Sequence, residues 1–578
     1  MELKPTVRMF RTKDGTPQRL LLRCEPDLNN VVRAAGMGTA RWRKREAAWS
    51  LPVDPHLLAS LAEHITGLII TQEVMDYMES LKVKQERVLS AVYNTAPLFP
   101  EDRLWDFQRA SVRFLEEVKR GMLAHEMGTG KTVIACAALE CLQLPRVVLV
   151  CPNSVKWSWI DHLLEWTSRE DIYVVDVKLK KDSFSDVVVI GGSKNKREEQ
   201  LLAMTAIEPS YILIINYDQL RYHRETLLNR EYDLMIADEA HRLKNKGAQR
   251  TQVAHQMTDR SEYVWLLTGT PMRNEYTDYW SLLRMSDPVR FPGYWNFLNL
   301  YIRAVPNLWG SVDIIGLRDT EQFNRMLATY MFRKTKEEAM PDLPEKQFID
   351  RRLPLNPKQE LIYNTMEKEF IMWIKKQLED GFEIEELLTA PTTLAQLTRL
   401  RQICLTPAIL DGEADSAKLD AIEDMLEDIK ESHDRVIIYS CYRSFLVFVE
   451  LLLRKKKIPY GMIVGGQSGE ERDQVKKQLD NGEIQVILGT IQSMGEGMNL
   501  QSASVAVFCD IDWVPAVNEQ AEDRIHRGEI VKSPTIIRLY HPNTIETDIR
   551  SACKRKTAKA ENTLGALETI RSMMSREK

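Results

Sequence analysis

Long apolar runs are missing from this chain. No stretch of about 18 or more apolar residues occurs in its 578 residues, so no helix is expected to span a membrane. The opening residues, Met-Glu-Leu-Lys-Pro-Thr-Val-Arg, lack an apolar core followed by a small-residue cleavage site, which argues against a secretory signal. Eight cysteines form no Cys-x-x-Cys pair, and nearby histidines complete no metal set. Neither a zinc site nor a disulfide frame is expected, and a reducing intracellular compartment follows: cytoplasmic in a bacterium or virus, nuclear in a eukaryote. Low-complexity tracts and internal repeats are also absent.

What is present suits a multidomain globular protein. The chain is 44% hydrophobic and 28% charged, and its length allows roughly four domains of ~150 residues. A net charge of −5 argues by itself against a nucleic-acid partner, but distribution matters more than the sum. Residues 1–50 carry eleven Lys/Arg against five Asp/Glu, and the segment around Lys554, Arg555, Lys556 and Lys559 is basic too. On charge alone, a solvated face is the better reading of both stretches.

Two zones alternate short β-type apolar runs with amphipathic helices. The first holds Arg146–Cys151, Tyr211–Ile215, Asp233–Ala237 and Val264–Thr268; the second holds Arg435–Tyr439, Gln485–Leu488, Val505–Asp510 and Thr535–Leu539. Such near-continuous apolar strands suit parallel sheets covered by helices on both faces. From about Tyr276 to Ile429 the pattern turns mainly helical, around a linker near Pro341–Lys346. The expected fold is α/β: two parallel-sheet lobes, at 98–345 and 346–578, with helical insertions and a small accessory domain at 1–97.

The strongest local signal is Gly121-Met-Leu-Ala-His-Glu-Met-Gly-Thr-Gly-Lys-Thr132, leading into a helical Val133–Leu142. Gly128, Thr129 and Gly130 form a loop whose backbone N–H groups can close around phosphate oxygens. Lys131 can reach the outer phosphates of a nucleotide, and the Thr132 hydroxyl can hold Mg²⁺. His125 stands where the usual pattern has its first glycine. Further on, Asp233-Leu-Met-Ile-Ala-Asp-Glu-Ala-His241 is an apolar strand ending in acids. Ligands of open α/β sheets bind at strand tips, where Asp238 can join the Mg²⁺ shell and Glu239 can orient and deprotonate water.

Asp238-Glu-Ala-His-Arg-Leu-Lys-Asn245 resembles the second motif of superfamily II helicase-like ATPases, specifically the Swi/Snf-type DNA translocases. The phosphate loop is similar to that family's Asp-Glu-Met-Gly-Leu-Gly-Lys-Thr, with His125 and Thr129 as departures. Phe107-Gln108, Cys151-Pro-Asn-Ser154 through Trp159, Asn216-Tyr-Asp218, Leu267-Thr-Gly-Thr-Pro271, Leu400-Arg-Gln-Ile-Cys404 and Gly495-Glu-Gly-Met-Asn-Leu500 follow in family order. Gln520-Ala-Glu-Asp-Arg-Ile-His-Arg527 is the most specific string, although Gly528-Glu-Ile530 replaces the family's Ile-Gly-Gln. The resemblance implies two RecA-like lobes and ATP with Mg²⁺ as the cofactor pair. It makes Gln108 the reader of adenine and brings Arg524 and Arg527 to the γ-phosphate; their i, i+3 spacing would place both on one face of a helix. It also implies that Ser154, Lys156, Asn216 and Asn499 lie against a DNA backbone, contacts that carry no base information.

In the amino-terminal module, Trp42 and Trp49 bracket Arg43-Lys44-Arg45. That interleaving suits stacking on exposed bases, with Trp42 and Arg43 as DNA-binding candidates, although two tryptophans in a small domain are usually its core and the two roles can coexist. The module resembles the HARP domain of annealing helicases. The implied partner is double-stranded or branched DNA, with no membrane and no protein partner named by the sequence. Rival readings are a strand-separating helicase or restriction-type motor, and a non-catalytic scaffold that binds nucleotide or DNA without turnover. A fork-unwinding assay separates the first and phosphate release the second.

Overall fold

The computed structural model describes residues 4–11, 17–36, 39–99, 103–175, 187–269, 271, 276–306, 312–380, 391–410, 416–432, 434–494, 498–527 and 533–555. Two compact units make up the chain: Met1–Glu126 with Gly130–Ala339, and Met340–Lys578 with the short stretch Met127–Thr129.

The first unit is built on an eight-stranded, wholly parallel sheet. Its central strands are Ser261–Leu267, Tyr232–Asp238, Arg146–Cys151 and Tyr211–Asn216, all anticipated above. Val, Ile and Leu fill them because both faces are covered, and the buried β-branched side chains pack well on a pleated surface. Arg120–Leu123, Ile172–Val175, Val187–Ile190 and Met331–Phe332 extend the sheet toward its edges. The second unit repeats the plan with six parallel strands, in the order Gln347–Arg352, Thr535–Tyr540, Val505–Phe508, Val436–Ser440, Val486–Thr490, Tyr460–Ile463. Both are α/β sheets of the RecA-like kind.

The helical insertions include Tyr279–Ser286, Tyr294–Tyr301, Thr320–Ala328, Pro357–Glu379 and Pro391–Leu405. One departure interrupts them: Ile302–Pro306 and Val312–Leu317 pair as an antiparallel hairpin. Val312, Ile314 and Gly316 are half-buried while Asp313 and Ile315 between them are exposed, an alternation of strand period and not of helical period.

The amino-terminal segment also holds more strand than its sequence suggests. A five-stranded sheet runs in the order Arg41–Arg43, Ala48–Leu51, Pro17–Arg23, Thr6–Arg11, Ile69–Ile70, packed with helices Asn29–Ala35, Pro55–His64 and Gln72–Ala91. Its apolar face, with Val7, Leu20, Leu22, Trp49 and Leu51, belongs to one continuous cluster that also holds Tyr301, Phe323 and Tyr330 and the large-sheet residues Val148 and Leu213. A buried polar knot accompanies this packing. Asp54 caps helix Pro55–His64 through Oδ1, which accepts from His56 N and Leu57 N at 3.0 and 3.1 Å. Its Oδ2 accepts from Arg290 Nε at 3.1 Å and from the Tyr301 hydroxyl at 2.6 Å. Among the described residues, no helix is long and apolar enough to cross a membrane.

Candidate functional site

The phosphate loop takes a shape that only its residue types allow. Gly128 and Gly130 sit at φ +82° and +80°, the left-handed region, and helix Lys131–Leu142 starts directly after them. A side chain at Gly130 would be strained by this φ, and an added Cβ, 2.6 Å from Gln108 Nε2, would also push the end of that side chain aside. Gln108 is thus placed against the loop, while its Oε1 accepts from Trp105 N at 3.0 Å and caps helix Asp106–Val118. Beside this first turn lies a cleft of ≈ 550 Å³ lined by Trp105, Phe107, Arg109, Lys334 and Glu338 among others. Lys131 Nζ donates to the carbonyls of His125 and Glu126 at 2.8 and 2.9 Å, which holds the ammonium over the loop. Thr132 follows it in the first turn, partly exposed, whereas Thr129 is buried.

His125 has become a neutral packing residue. Its ring lies edge-on to Phe332 and Phe107, 4.9 and 5.9 Å away between centroids. The Ser111 hydroxyl donates to Phe107 O at 2.5 Å, so the 2.7 Å contact between Ser111 Oγ and His125 Nε2 puts the ring proton on Nε2. Burial, with Lys131 and Lys334 nearby, pushes its pKa down to about 3. The position therefore carries no charge, in contrast to the aspartate of the resembled motif.

The acids occupy the tip of strand Tyr232–Asp238. Asp238 Oδ2 accepts from Trp159 Nε1 at 2.8 Å and Oδ1 from Glu239 N at 2.9 Å, and the Tyr217 hydroxyl donates to the Asp238 carbonyl. Desolvation, then the neighbouring Glu239 charge, raises its pKa to about 6 despite these donors and Lys131. Glu239 itself is left-handed, φ +53°, a strained setting for a non-glycine residue. Its Oε2 lies 3.2 Å from His241 Nδ1, and that nitrogen lies 3.2 Å from Thr268 Oγ1. A polar chain thus joins Glu239 to the end of the adjacent strand.

In the second unit, helix Pro515–Glu522 stops before the two arginines, which follow in a turn rather than on one helical face. Arg524 is 2% exposed. Its Nη1 donates to Met498 O at 3.0 Å, and its carbonyl accepts from Leu500 N at the same distance. Arg527 is partly exposed, with Nε donating to Asp523 O at 3.1 Å. The turn is pinned from below. Lys346 Nζ meets Asp523 at 2.8 Å and Glu522 at 3.5 Å, and Arg538 meets Glu522 at 2.5 Å.

Residues 70–409 match the model of the SNF2-related domain, and residues 417–529 that of the helicase conserved C-terminal domain. The chain belongs to the SNF2-related family. Relatives include the SWI/SNF-related matrix-associated actin-dependent regulator of chromatin subfamily A-like protein 1 of Drosophila melanogaster, 28% identical over 85% of this chain and 59% of that protein. The DNA repair and recombination protein RAD54 of Saccharomyces cerevisiae is 25% identical over 93% of this chain and 63% of its own length. This SNF2-related chain thus spans less than two thirds of either relative. A Sulfolobus solfataricus SWI2/SNF2 ATPase core in complex with dsDNA aligns with 84% of this chain and 96% of that one, at 22% identity and TM-score 0.36.

The DNA-facing candidates of this SNF2-related chain fare unevenly. Lys156 is a correction: it is fully buried and Nζ donates to Val175 O at 2.9 Å, so its charge faces the protein interior and not a backbone. Asn216 caps helix Tyr217–Tyr222 through Oδ1 and donates from Nδ2 to Asn153 at 3.0 Å. Asn499 is exposed, with Nδ2 donating to Gln501 at 3.2 Å. Trp42 is 47% exposed and packs edge-on to Trp49, whose ring is core, while Arg43 pairs with Glu46 at 3.8 Å. The side chain of Ser154, with Gly495–Gly497 (495–497), Thr270 and 528–532, lies outside the described residues. Sequence reasoning missed Trp159 and Tyr217 as the clamp on Asp238, and Lys346 with Glu522 under the arginine turn. The one available signal was the indole and the phenol themselves, since buried Trp and Tyr need a polar partner.

Proposed function

We propose that this protein hydrolyses Mg·ATP and couples the reaction to movement along double-stranded DNA. The observation that carries the reading is geometric: left-handed Gly128 and Gly130 lead into helix Lys131–Leu142, and Asp238 and Glu239 stand at the tip of strand Tyr232–Asp238. The residues fit a metal–nucleotide pair: two left-handed glycines open the loop's N–H groups, and the desolvated Asp238 gains by meeting a cation. Thr132 and Asp238 would hold Mg²⁺, which when bound draws charge from the phosphate oxygens. Lys131 would hold the β- and γ-phosphates, Gln108 and the cleft beside Trp105 the base, and Glu239 would take a proton from water. In this reading residues 98–345 bind ATP, 346–578 supply Arg524 and Arg527 to the transferring phosphoryl group, and 1–97 form an accessory module.

DNA enters this reading through the family and through its relatives, one of them a DNA repair and recombination protein. A preference for branched duplex, with strand reannealing in the manner of the HARP-containing branch, is the finer part; the exposed Trp42 and the basic residues around it support it. An intracellular setting goes with such a substrate.

The experiment is strand displacement. A motor that tracks duplex DNA should release a third strand bound in the groove at the cost of ATP and leave a plain fork closed. Efficient opening of the fork would favour the strand-separating helicase instead.

A further inference from the structure

The register of the amino-terminal sheet sorts its residues onto two faces, because opposed residues in paired strands point the same way. Val7 pairs with Leu22 and Leu22 with Trp49, which in turn opposes Trp42; this is the face packed into the core. The other face is different in kind. Arg8 pairs with Leu21, Leu21 with Ser50 and Ser50 with Arg41. The flanking rows bring Arg19 opposite Phe10 and Arg23 opposite Thr6, while Arg43 opposes Ala48. Contacts across the strands agree with that sorting. Arg19 Nη1 reaches Ser50 Oγ at 3.4 Å, and the Arg43 guanidinium lies 6.0 Å from the Phe10 ring centroid.

Five arginines thus share one sheet face. Arg8, Arg23 and Arg41 are exposed, and of the five only Arg43 has a carboxylate partner among the described residues, Glu46 at 3.8 Å. The crowding has a cost: after burial, the charges of Arg43 and Arg41 are what lower the pKa of Arg19. Folding alone gives no return for setting like charges side by side; an anion laid across them does. The row from Arg41 to Arg8 crosses four strands, about 14 Å at ~4.8 Å per strand, several times the ~3.4 Å rise along the duplex axis between phosphates of one strand. The rows hold no Asn, Gln or carboxylate side chain, and the guanidinium forks match phosphate oxygens bidentately.

We infer that this arginine face, Arg8, Arg19, Arg23, Arg41 and Arg43, is a docking surface for the phosphodiester backbone of duplex DNA, bound without regard to sequence. The inference rests on the DNA reading above and gives the accessory module its surface. Trp42, opposed to Trp49, lies on the other face and is no part of this backbone contact.

The test uses the full chain and a fluorescein-labelled blunt DNA duplex, with affinity measured by anisotropy over a salt series. In Arg8→Gln/Arg23→Gln/Arg41→Gln the slope of log K against log salt should become shallower by roughly 2–3, at ~0.9 per lost phosphate contact. ATP turnover without DNA should stay at the wild-type value. The charge-keeping Arg8→Lys/Arg23→Lys/Arg41→Lys should restore most of the slope. A glutamine variant with the wild-type slope overturns the inference, as does a lysine variant as shallow as the glutamine one. Failure of the parent reading looks different: the wild-type protein itself would bind the duplex with no salt dependence.

Discussion

The two large sheets are built alike, parallel and covered by helices, yet one ends in acids and the other leads to arginines. In the first unit, Asp238 and Glu239 crowd together at a strand tip, where desolvation and mutual repulsion push the Asp238 pKa up to about 6. In the second, Arg524 and Arg527 sit in a turn tied down by main-chain carbonyls and by the Lys346–Glu522–Arg538 group. The acidic end is uncomfortable without a cation and suits metal and water chemistry. The arginine end is suited to an anion. The contrast teaches that one architecture presents opposite charges according to which side chains end its strands and turns, and that chemistry is assigned by site and not by fold.

The comparison breaks first at Glu239. Glu239→Gln should bind ATP and lose ~10²–10⁴-fold in turnover, the range for general acid–base catalysis, whereas Lys131→Ala should lose affinity as well. Nucleotide binding measured beside single-turnover hydrolysis checks both. Near-normal turnover in Glu239→Gln would remove it as the base.

The arginine end should respond almost as strongly. Arg527→Ala should leave ATP binding intact and cut turnover by ~10³-fold, the lower range for arginine fingers. Arg524 is buried and holds Met498 O, so Arg524→Ala should lower the melting temperature of the second unit as well. A melting curve for each variant separates the two roles.

Asp54 sharpens the contrast with a buried charge pair that has no place in the chemistry. Burial would raise its pKa, but Arg290, the Tyr301 hydroxyl and Leu57 N together hold it below the usual carboxylate range. Its stabilising contribution is therefore present above the unfolded-state pKa and is lost as pH falls through the folded one. Asp54→Ala strands the Arg290 charge and should cost ~3–5 kcal/mol, and it should flatten the acid end of the stability profile. Unaltered urea unfolding in the variant would mean that the first sheet is not held through this knot.

The smallest effect concerns Asp238 and pH. Its raised folded pKa means that the metal-free fold prefers the protonated group, so ionisation lowers stability as pH climbs from the ordinary carboxylate range through about 6. Mg²⁺ must displace that proton, so the Mg²⁺ concentration needed for half-maximal turnover should rise by up to ~tenfold for each pH unit below about 6. A metal requirement flat between pH 5 and 7 would contradict the assignment.

Much of this was legible in the sequence, for identifiable reasons. The central strands are runs of Val, Ile and Leu between turn residues, and the glycines and acids of the site lie in short contiguous strings. Arg120–Leu123 and the edge strands escaped because apolar runs of two to four residues also fit buried helix. Lys156 misled because a lysine after a family-like Cys-Pro-Asn-Ser string resembles a phosphate donor; only the fold shows its ammonium turned inward onto Val175 O. The amino-terminal sheet was hidden by its arginines, whose alternation with Val7, Met9, Leu20 and Leu22 marks one face for the core and one for charge.

Phosphate release from ATP, followed with and without duplex DNA in the wild type and in Arg527→Ala, tests the whole account most directly. Duplex of any sequence should accelerate the wild type, less so as salt rises, and should leave Arg527→Ala slow. A wild-type rate indifferent to DNA, or an Arg527→Ala rate that DNA restores in full, would contradict it.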